Sequence, residues 1–443
     1  MTNVLIVGGG VAGLVAAIQT AKAGISTVLL EKASLIGGRA MTREKNGFRF
    51  NLGPHALYRK GVLRQTLQEF GIPVHGSLPP TNGGFVIREG RMHTLPVGLT
   101  SLMTTSVMGL AAKFEFAKLQ TSLKSIDVTS LDHVALSSWL QTNIRHEEVR
   151  DVMRMLVRVT TFTNDPDRQS AGAALAQLQL AVAGNVLYLD DGWQTIVDGL
   201  RRVAIDAGVR IEAGAAAALD RADGRSVHAV RLADGRSVRA AAVIIAGSPA
   251  DVDALTGVTR FERELTPVRL ATLDLALRTL PQPRRVVAFG ADEATYFSVH
   301  SAAARLAPDG GALIHVSKYL RPDEHADRAT EAELERVTDR MQPGWRDALN
   351  SKQFLPNLTV THAELLASRG GIGGRPSVQL DAFDNVFIAG DWVGARGQLS
   401  DAAAASGREA GASVRRLFGA GYAPDLKVRP TSVAQPFRAA HIA

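Results

Sequence analysis

Apolar residues change their spacing along this chain, and each change marks a predicted element. Val4-Leu5-Ile6-Val7 is an unbroken apolar run, the pattern of a parallel strand covered on both faces. Glycines at 8, 9, 10 and 13 follow, then an alanine-rich helix over Leu14–Ala23 stopped by Gly24. A second apolar strand, Thr27–Leu30, ends at Glu31. In the middle of the chain the pattern predicts an amphipathic helix over Thr195–Ala207 and a short strand over Val209–Glu212. Two hairpin turns follow at Asp223-Gly224 and Asp234-Gly235, each inside the repeat Ala-Asp-Gly-Arg-Ser-Val. A strand over Ala242–Ala246 and Gly247-Ser248-Pro249 close this unit. Helical spacing covers Val134–Leu140 and Val149–Phe162. Strands are predicted over Val268–Leu277, Arg285–Phe289, Thr295–His300 and Ala312–Val316. A last helix opens at Ser400 or Asp401, either of which suits an N-cap, and runs to about Phe418.

Composition narrows the picture. The 443 residues are 46% apolar and 21% charged, which fits a packed soluble chain of two or three substructures. The chain has no cysteine, which excludes disulfide scaffolds, thiolate zinc sites, iron–sulfur clusters and any cofactor tethered through cysteine sulfur. Residues 1–80 hold nine Lys/Arg against three Glu, a balance of +6 within a total of +7. No run of five basic residues occurs, and aromatics do not interleave with basic positions. A phosphorylated cofactor therefore explains the charge, and nucleic acid is not an expected partner. His146-Glu147-Glu148 lacks the second histidine of a zinc-binding helix, so no metal is expected. With no basic segment or cleavage site ahead of Val4, the expected location is cytoplasmic.

The strongest chemistry lies in the first forty residues. Gly8, Gly10 and Gly13 have the spacing of a dinucleotide-binding turn, with Val11 and Ala12 between its last two glycines. Gly8 permits the tight turn, Gly10 lets backbone approach a pyrophosphate, and Gly13 lets helix and strand pack closely. The helix N-terminus presents unpaired N–H groups to the phosphates. Glu31, eighteen residues beyond Gly13, is placed to accept hydrogen bonds from ribose hydroxyls, with Lys32 beside it.

The segment Glu31-Lys32-Ala33-Ser34-Leu35-Ile36-Gly37-Gly38-Arg39 resembles a signature of the flavoprotein superfamily that holds amine oxidases, protoporphyrinogen oxidases and phytoene desaturases. The likeness continues through Gly47–His55, where members bring the chain close to the isoalloxazine. It returns in Asn385–Trp392, similar to the second FAD motif of that superfamily. The resemblance implies non-covalent FAD. Beyond the first turn, it assigns Gly38, Arg39, Gly53, Pro54 and His55 to the cofactor, with Gly390, Asp391, Ser400 and Ala402 from the far end of the chain. Arg39 is expected to offset phosphate charge or hold the flavin edge, and Asp391 to meet the ribityl–pyrophosphate region. The helix after Ser400 is expected to aim its N-terminus at the pyrimidine end of the flavin.

The implied fold is α/β, of glutathione-reductase type. A discontinuous Rossmann-like FAD-binding domain is drawn from residues 1–80, 185–257 and 356–420, with the strand near Val209–Ala213 passing the adenine. An α+β substrate domain with a mixed sheet and helices takes 81–184 and 258–355, and 421–443 form a flexible tail. The segment Gly370–Gly374 follows Ser368-Arg369 rather than a strand, so it is expected to be a turn and no nicotinamide site is expected.

The expected function is oxidation or desaturation of a hydrophobic small molecule (an amine, a porphyrinogen or an isoprenoid) by hydride transfer to flavin N5, with oxygen or a quinone as final acceptor. Two other classes stay open: a redox-neutral isomerase or mutase, and a non-catalytic prenyl-binding escort protein. Gly394–Leu399 lacks the Pro-Gly-rich pattern of the desaturases, which places the chain nearer the amine and porphyrinogen oxidases. His55 is the catalytic candidate, as a group that orients substrate or relays a proton, with a purely structural histidine as the alternative. Tyr296, His300 and Lys318 lie on or beside substrate-domain strands, where alternation does not decide which side chains face inward. Leu95–Phe116 also has two readings. It is either a membrane-facing entrance, with Leu95, Val97, Leu99, Leu102, Met103, Val107, Met108 and Leu110 as its surface, or ordinary core. Oligomeric state is left undetermined.

Overall fold

The computed structural model describes residues 2–80 and 83–419, so the expected tail at 421–443 lies outside the described residues. The first sheet has a parallel core in the order Arg210–Ala213, Thr27–Glu31, Thr2–Val7, Ser237–Ile245, Val386–Ile388. Its central strands are nearly unbroken apolar runs because both faces are covered. The first half of Ser237–Ile245 leaves the parallel core and pairs antiparallel with Val227–Leu232, which pairs in turn with Ala216–Arg221. Both expected hairpin turns lie between these strands.

The dinucleotide helix spans Val11–Lys22 and is capped by Gly10, three residues earlier than its apolar spacing suggested. It packs on the C-terminal helix, Leu399–Phe418. Contact is close because a Cβ on Gly407 would stand 2.4 Å from the Ala12 carbonyl oxygen. The C-terminal helix is capped by Gln398, not by Ser400 or Asp401. Asp401 is instead spent on another helix. Its Oδ1 accepts the Leu63 N–H at 2.8 Å, at the start of the helix Val62–Glu69, whose own cap is the side-chain-less Gly61.

The second sheet runs Leu349–Thr361, Val268–Leu277, Ala312–Tyr319, Thr295–Val299, Val287–Gly290, Gly84–Arg88, Arg91–Thr94. Only Val287–Gly290 with Gly84–Arg88 is a parallel pair, so the sheet is mixed. Helices Leu110–Ser122, Glu147–Thr161 and Ala171–Gly184 share one apolar cluster beside it, and Arg328–Met341 packs into another. One strand joins the two halves of the molecule. Leu349–Thr361 begins in the mixed sheet and ends at Val360 and Thr361, beside Asp391. The boundary expected between 355 and 356 therefore falls inside a continuous strand. Gly370–Gly374 forms a turn of 3-10 helix, as its context suggested.

Candidate functional site

A cavity of about 1060 Å³ runs from the glycine turn into the space beneath the mixed sheet. At its first end lie Gly8, Gly10, Val11, Ala12, Glu31, Lys32 and Gly38. The fit to a pyrophosphate rests on the backbone here. A Cβ on Gly10 would find nothing closer than the Gly37 oxygen at 3.9 Å, so that position is bare toward the cavity. The helix behind it has no side-chain cap and no acid in its first turn, which leaves its leading N–H groups for an anion. Gly13 serves packing alone: it does not border the cavity, and a Cβ there would stand 1.9 Å from the Gly8 oxygen. Glu31 is buried, with Oε2 accepting from Gly9 N at 2.7 Å and Oε1 from Ala33 N at 2.8 Å. Those bonds fix the carboxylate at the cavity wall, with lone pairs left for hydroxyl donors. Lys32 pairs at the rim with Asp251 at 2.8 Å.

The middle of the cavity is organised by Arg39 and Asp391. Two parallel bonds join them, and Arg39 also donates to the Val360 carbonyl at 2.7 Å. Asp391 further accepts the His362 N–H at 3.0 Å, and its main-chain oxygen accepts from Arg375. Burial disfavours the Asp391 charge, but Arg39 and His362 outweigh it and hold the carboxyl well below the usual range. Burial also works against the Arg39 charge, and Asp391 reverses this and raises its pKa. Arg39 is therefore not a free cation for phosphate, because its charge is already matched by Asp391 in the cavity wall.

His55 and Pro54 border the cavity, while Gly53, at φ 76°, turns the chain behind them. The His55 ring stands edge-on to Trp193 at 5.0 Å. Its Nδ1 lies 3.1 Å from the Gly53 oxygen and its Nε2 3.0 Å from the Arg39 oxygen. Burial lowers its pKa, so the ring is neutral and donates to one of the two carbonyls. One nitrogen is thus tied to backbone and the other lies against a carbonyl oxygen, which suits a loop tie better than a proton relay. Farther along, Gly390, Leu399 and Ser400 border the cavity, whereas Ala402 is fully buried and does not; Ala403 takes its place. Leu399, at φ 54°, is in the left-handed region, a strained setting for a branched side chain at the helix entrance.

The inner end is a largely apolar chamber walled by residues such as Phe116, Met153, Leu156, Val159, Leu178 and Phe289, with Tyr188, Tyr296, His300 and Tyr319 on the remaining face. Tyr296 and His300, left undecided by strand alternation, both face the chamber. Lys318 does not: its Nζ is paired with Glu333 at 2.8 Å and Glu324 at 3.0 Å. The Leu95–Phe116 segment is part core and part surface. Leu95, Leu102, Val107 and Met108 are buried, whereas Val97, Leu99, Met103 and Leu110 are exposed, with Phe114 beside them. Sequence reasoning missed Ser248, Asp251, Leu255 and His362 as cavity residues. The first two had a legible signal, since Ser-Pro-Ala-Asp is a capping box, and Ser248 and Asp251 do cap the helix Pro249–Thr256. Among the described residues no group of His, Asp and Glu is arranged to hold a metal ion.

Residues 11–279 match the family described as flavin containing amine oxidoreductase. A phytoene desaturase of Neurospora crassa is 39% identical over 70 residues, which are 16% of this chain and 12% of that protein. An L-amino-acid oxidase of Pseudechis australis is 41% identical over 76 residues, 16% of this chain and 15% of that protein. These matches thus span a small part of each relative. The crystal structure of an oxidoreductase from Methanosarcina mazei superposes with a TM-score of 0.72 at 17% identity, covering 91% of this chain and 98% of that one. The family match takes in more than half of the chain, including the glycine turn's helix and Arg39. The chain belongs to the flavin-containing amine oxidoreductase family, the oxidoreductases that carry FAD.

Proposed function

We propose that this protein oxidises or desaturates a neutral, hydrophobic small molecule, with oxygen or a quinone as the final electron acceptor. FAD, when bound, supplies the two-electron chemistry, with its ring accepting a hydride from a substrate C–H bond. The observation that carries the reading is the continuity of one cavity from the bare glycine turn to a largely apolar chamber. Among the described residues, its charged lining (Glu31, Lys32, Arg39, Asp251 and Asp391) is confined to the cofactor end. The chamber offers no carboxylate to an ammonium group and no guanidinium to a carboxylate, which favours an isoprenoid, polyene or similar substrate over an amino acid or polyamine.

In this reading residues 1–80, 185–257 and 356–420 hold the cofactor, and 81–184 and 258–355 enclose the substrate. Backbone at Gly8, Gly10, Val11, Ala12 and Gly38 receives the pyrophosphate, Glu31 the ribose, and Ser400 with Leu399 the pyrimidine end of the ring. The Arg39–Asp391 pair and His55 shape the pocket between them. A peripheral contact with a lipid surface belongs to the same reading. Leu99, Leu110 and Phe114 are 79%, 69% and 75% exposed, with Lys118 one helical turn from Phe114, and Val97, Leu119 and Leu123 of the same region border the cavity. Among the described residues no helix is long and apolar enough to cross a membrane.

The first test is the visible spectrum of the purified protein before and after denaturation, followed by anaerobic addition of a polyene, a porphyrinogen and a hydrophobic amine. Flavin released by denaturation, and bleached by the polyene, the neutral compound of the three, is the expected result. A colourless protein that takes up no added FAD would overturn the proposal and favour a non-catalytic binding role.

A further inference from the structure

One wall of the chamber is built from polar side chains. The Tyr296 hydroxyl lies 3.0 Å from the Tyr188 hydroxyl and 3.3 Å from Nε2 of His300. The His300 ring stacks on Tyr188, with centroids 3.8 Å apart and 15° between the planes. Behind this layer His315 stands edge-on to His300 at 4.4 Å. Its Nδ1 is 2.6 Å from Oδ1 of Asp274, which also accepts the Thr272 hydroxyl at 3.0 Å. Strand pairing places these groups together, since Asp274 is the cross-strand partner of His315, and His315 that of Ser298, two residues before His300. Asp274 and His315 are wholly buried.

Two nitrogens in this cluster are buried without a partner in the protein: Nδ1 of His300 and Nε2 of His315. Such atoms are rare and mark a place where another polar group belongs. When Tyr296 donates to Nε2 of His300, Nδ1 bears the proton and lacks an acceptor. When Nε2 bears the proton, Nδ1 lacks a donor. The His300 and Tyr296 side chains both border the chamber, so a polar group of a bound molecule is the partner within reach of this cluster. A charged group does not suit this wall. Burial, with His315 and His55 nearby, keeps His300 neutral, and burial keeps the Tyr188 and Tyr296 phenols protonated.

We propose that His300 and Tyr296 anchor a neutral oxygen-bearing head, a hydroxyl or a carbonyl, on an otherwise apolar substrate, with His315 and Asp274 as positioning residues behind them. This assignment rests on the reading of the chamber as a substrate site and adds the class of head group it selects. The hydroxyl is the better match because it donates and accepts, and so satisfies either tautomer of His300.

The test is calorimetric titration of the FAD-loaded full chain with four probes on one skeleton: menthane, menthol, menthone and menthylamine. Menthol and menthone are expected to bind about 5- to 10-fold tighter than menthane, the range of one net hydrogen bond. Menthylamine, a cation at neutral pH, is expected to bind no better than menthane. In His300→Phe, which keeps the stacked ring, and in Tyr296→Phe, the preference for menthol over menthane should fall to within about twofold. His315→Leu should weaken menthol by more than menthane, which a merely structural defect would not do. Equal binding of menthol and menthane by the unaltered protein overturns the anchor, and that comparison needs no variant to fold. Undiminished preference in both phenylalanine variants overturns it too. Failure of all four probes to bind overturns the anchor and the chamber reading together, whereas equal binding leaves the chamber reading standing.

Discussion

Arg39 and Asp391 stand 352 residues apart in sequence and face one another as a two-pronged pair, with Nη2 to Oδ1 at 2.7 Å and Nη1 to Oδ2 at 2.9 Å. The pair ties the segment after the first sheet strands to the last one and closes the middle of the cavity. Removing one partner leaves the other charge without its match. Asp391→Ala is expected to cost about 2–4 kcal/mol, less than a fully enclosed pair because Arg39 borders the cavity. It should also release FAD. Urea unfolding of the cofactor-free protein and the flavin content on purification check both, and an unchanged midpoint with full flavin would refute the tie.

The two glycines of the turn separate cofactor binding from folding. Gly10→Ala has open space, at φ −76°, and should leave the cofactor-free protein as stable as before while weakening FAD at least about tenfold. Gly13→Ala drives a methyl to 1.9 Å from a backbone oxygen and should destabilise the chain by more than about 3 kcal/mol. Thermal melts with and without FAD distinguish the two effects. Equal stability loss in both variants contradicts the division of roles.

Asp401 gives the fold a dependence on pH. Burial pushes its carboxyl up to about 6 from an ordinary 3.8, against the opposing bond from Leu63 N–H. The folded chain therefore holds this proton more tightly than the unfolded chain. The contribution is full below about pH 4 and is lost as pH rises through about 6, an effect of order 2–3 kcal/mol. Asp401→Asn keeps an acceptor for Leu63 and carries no charge, so its stability should vary less across that window. Urea unfolding of both proteins at several pH values settles it, and parallel curves would count against the assignment.

His55, with both nitrogens against backbone oxygens, is expected to act through loop position. His55→Ala should weaken FAD by roughly tenfold, the size of one lost hydrogen bond or slightly more, and leave the shape of the pH–rate profile for flavin reduction unaltered. Loss of an ionisation from that profile would restore the proton-relay role.

The exposed patch makes a further prediction. Leu99→Asp with Phe114→Asp should abolish co-sedimentation with anionic vesicles and leave FAD content intact, because both side chains are largely solvated and neither borders the cavity. Vesicle binding that survives both substitutions places the contact elsewhere.

Much of the architecture was legible in local pattern. The apolar run Val4–Val7, the glycine spacing, the two Asp-Gly hairpins and the apolar stretch Val268–Leu277 each encode their own conformation, because backbone sterics and burial on one or both faces act within a few residues. The cofactor end followed from the same signals, since a strand, a bare turn and an uncapped helix make an anion site wherever they occur in sequence.

Tertiary structure alone decided the pairings that join distant strands. Nothing near Arg39 announces Asp391, nothing in the first turn of the last helix shows that Asp401 belongs to Leu63, and Tyr296, His300 and Lys318 look alike by alternation until the sheet is closed. Strand period leaves two faces equivalent, and a hydrogen bond across three hundred residues leaves no local trace. Only the packing of the mixed sheet against its helices turned Tyr296 and His300 toward the chamber, set His315 and Asp274 behind them, and left Lys318 to its glutamates away from the chamber.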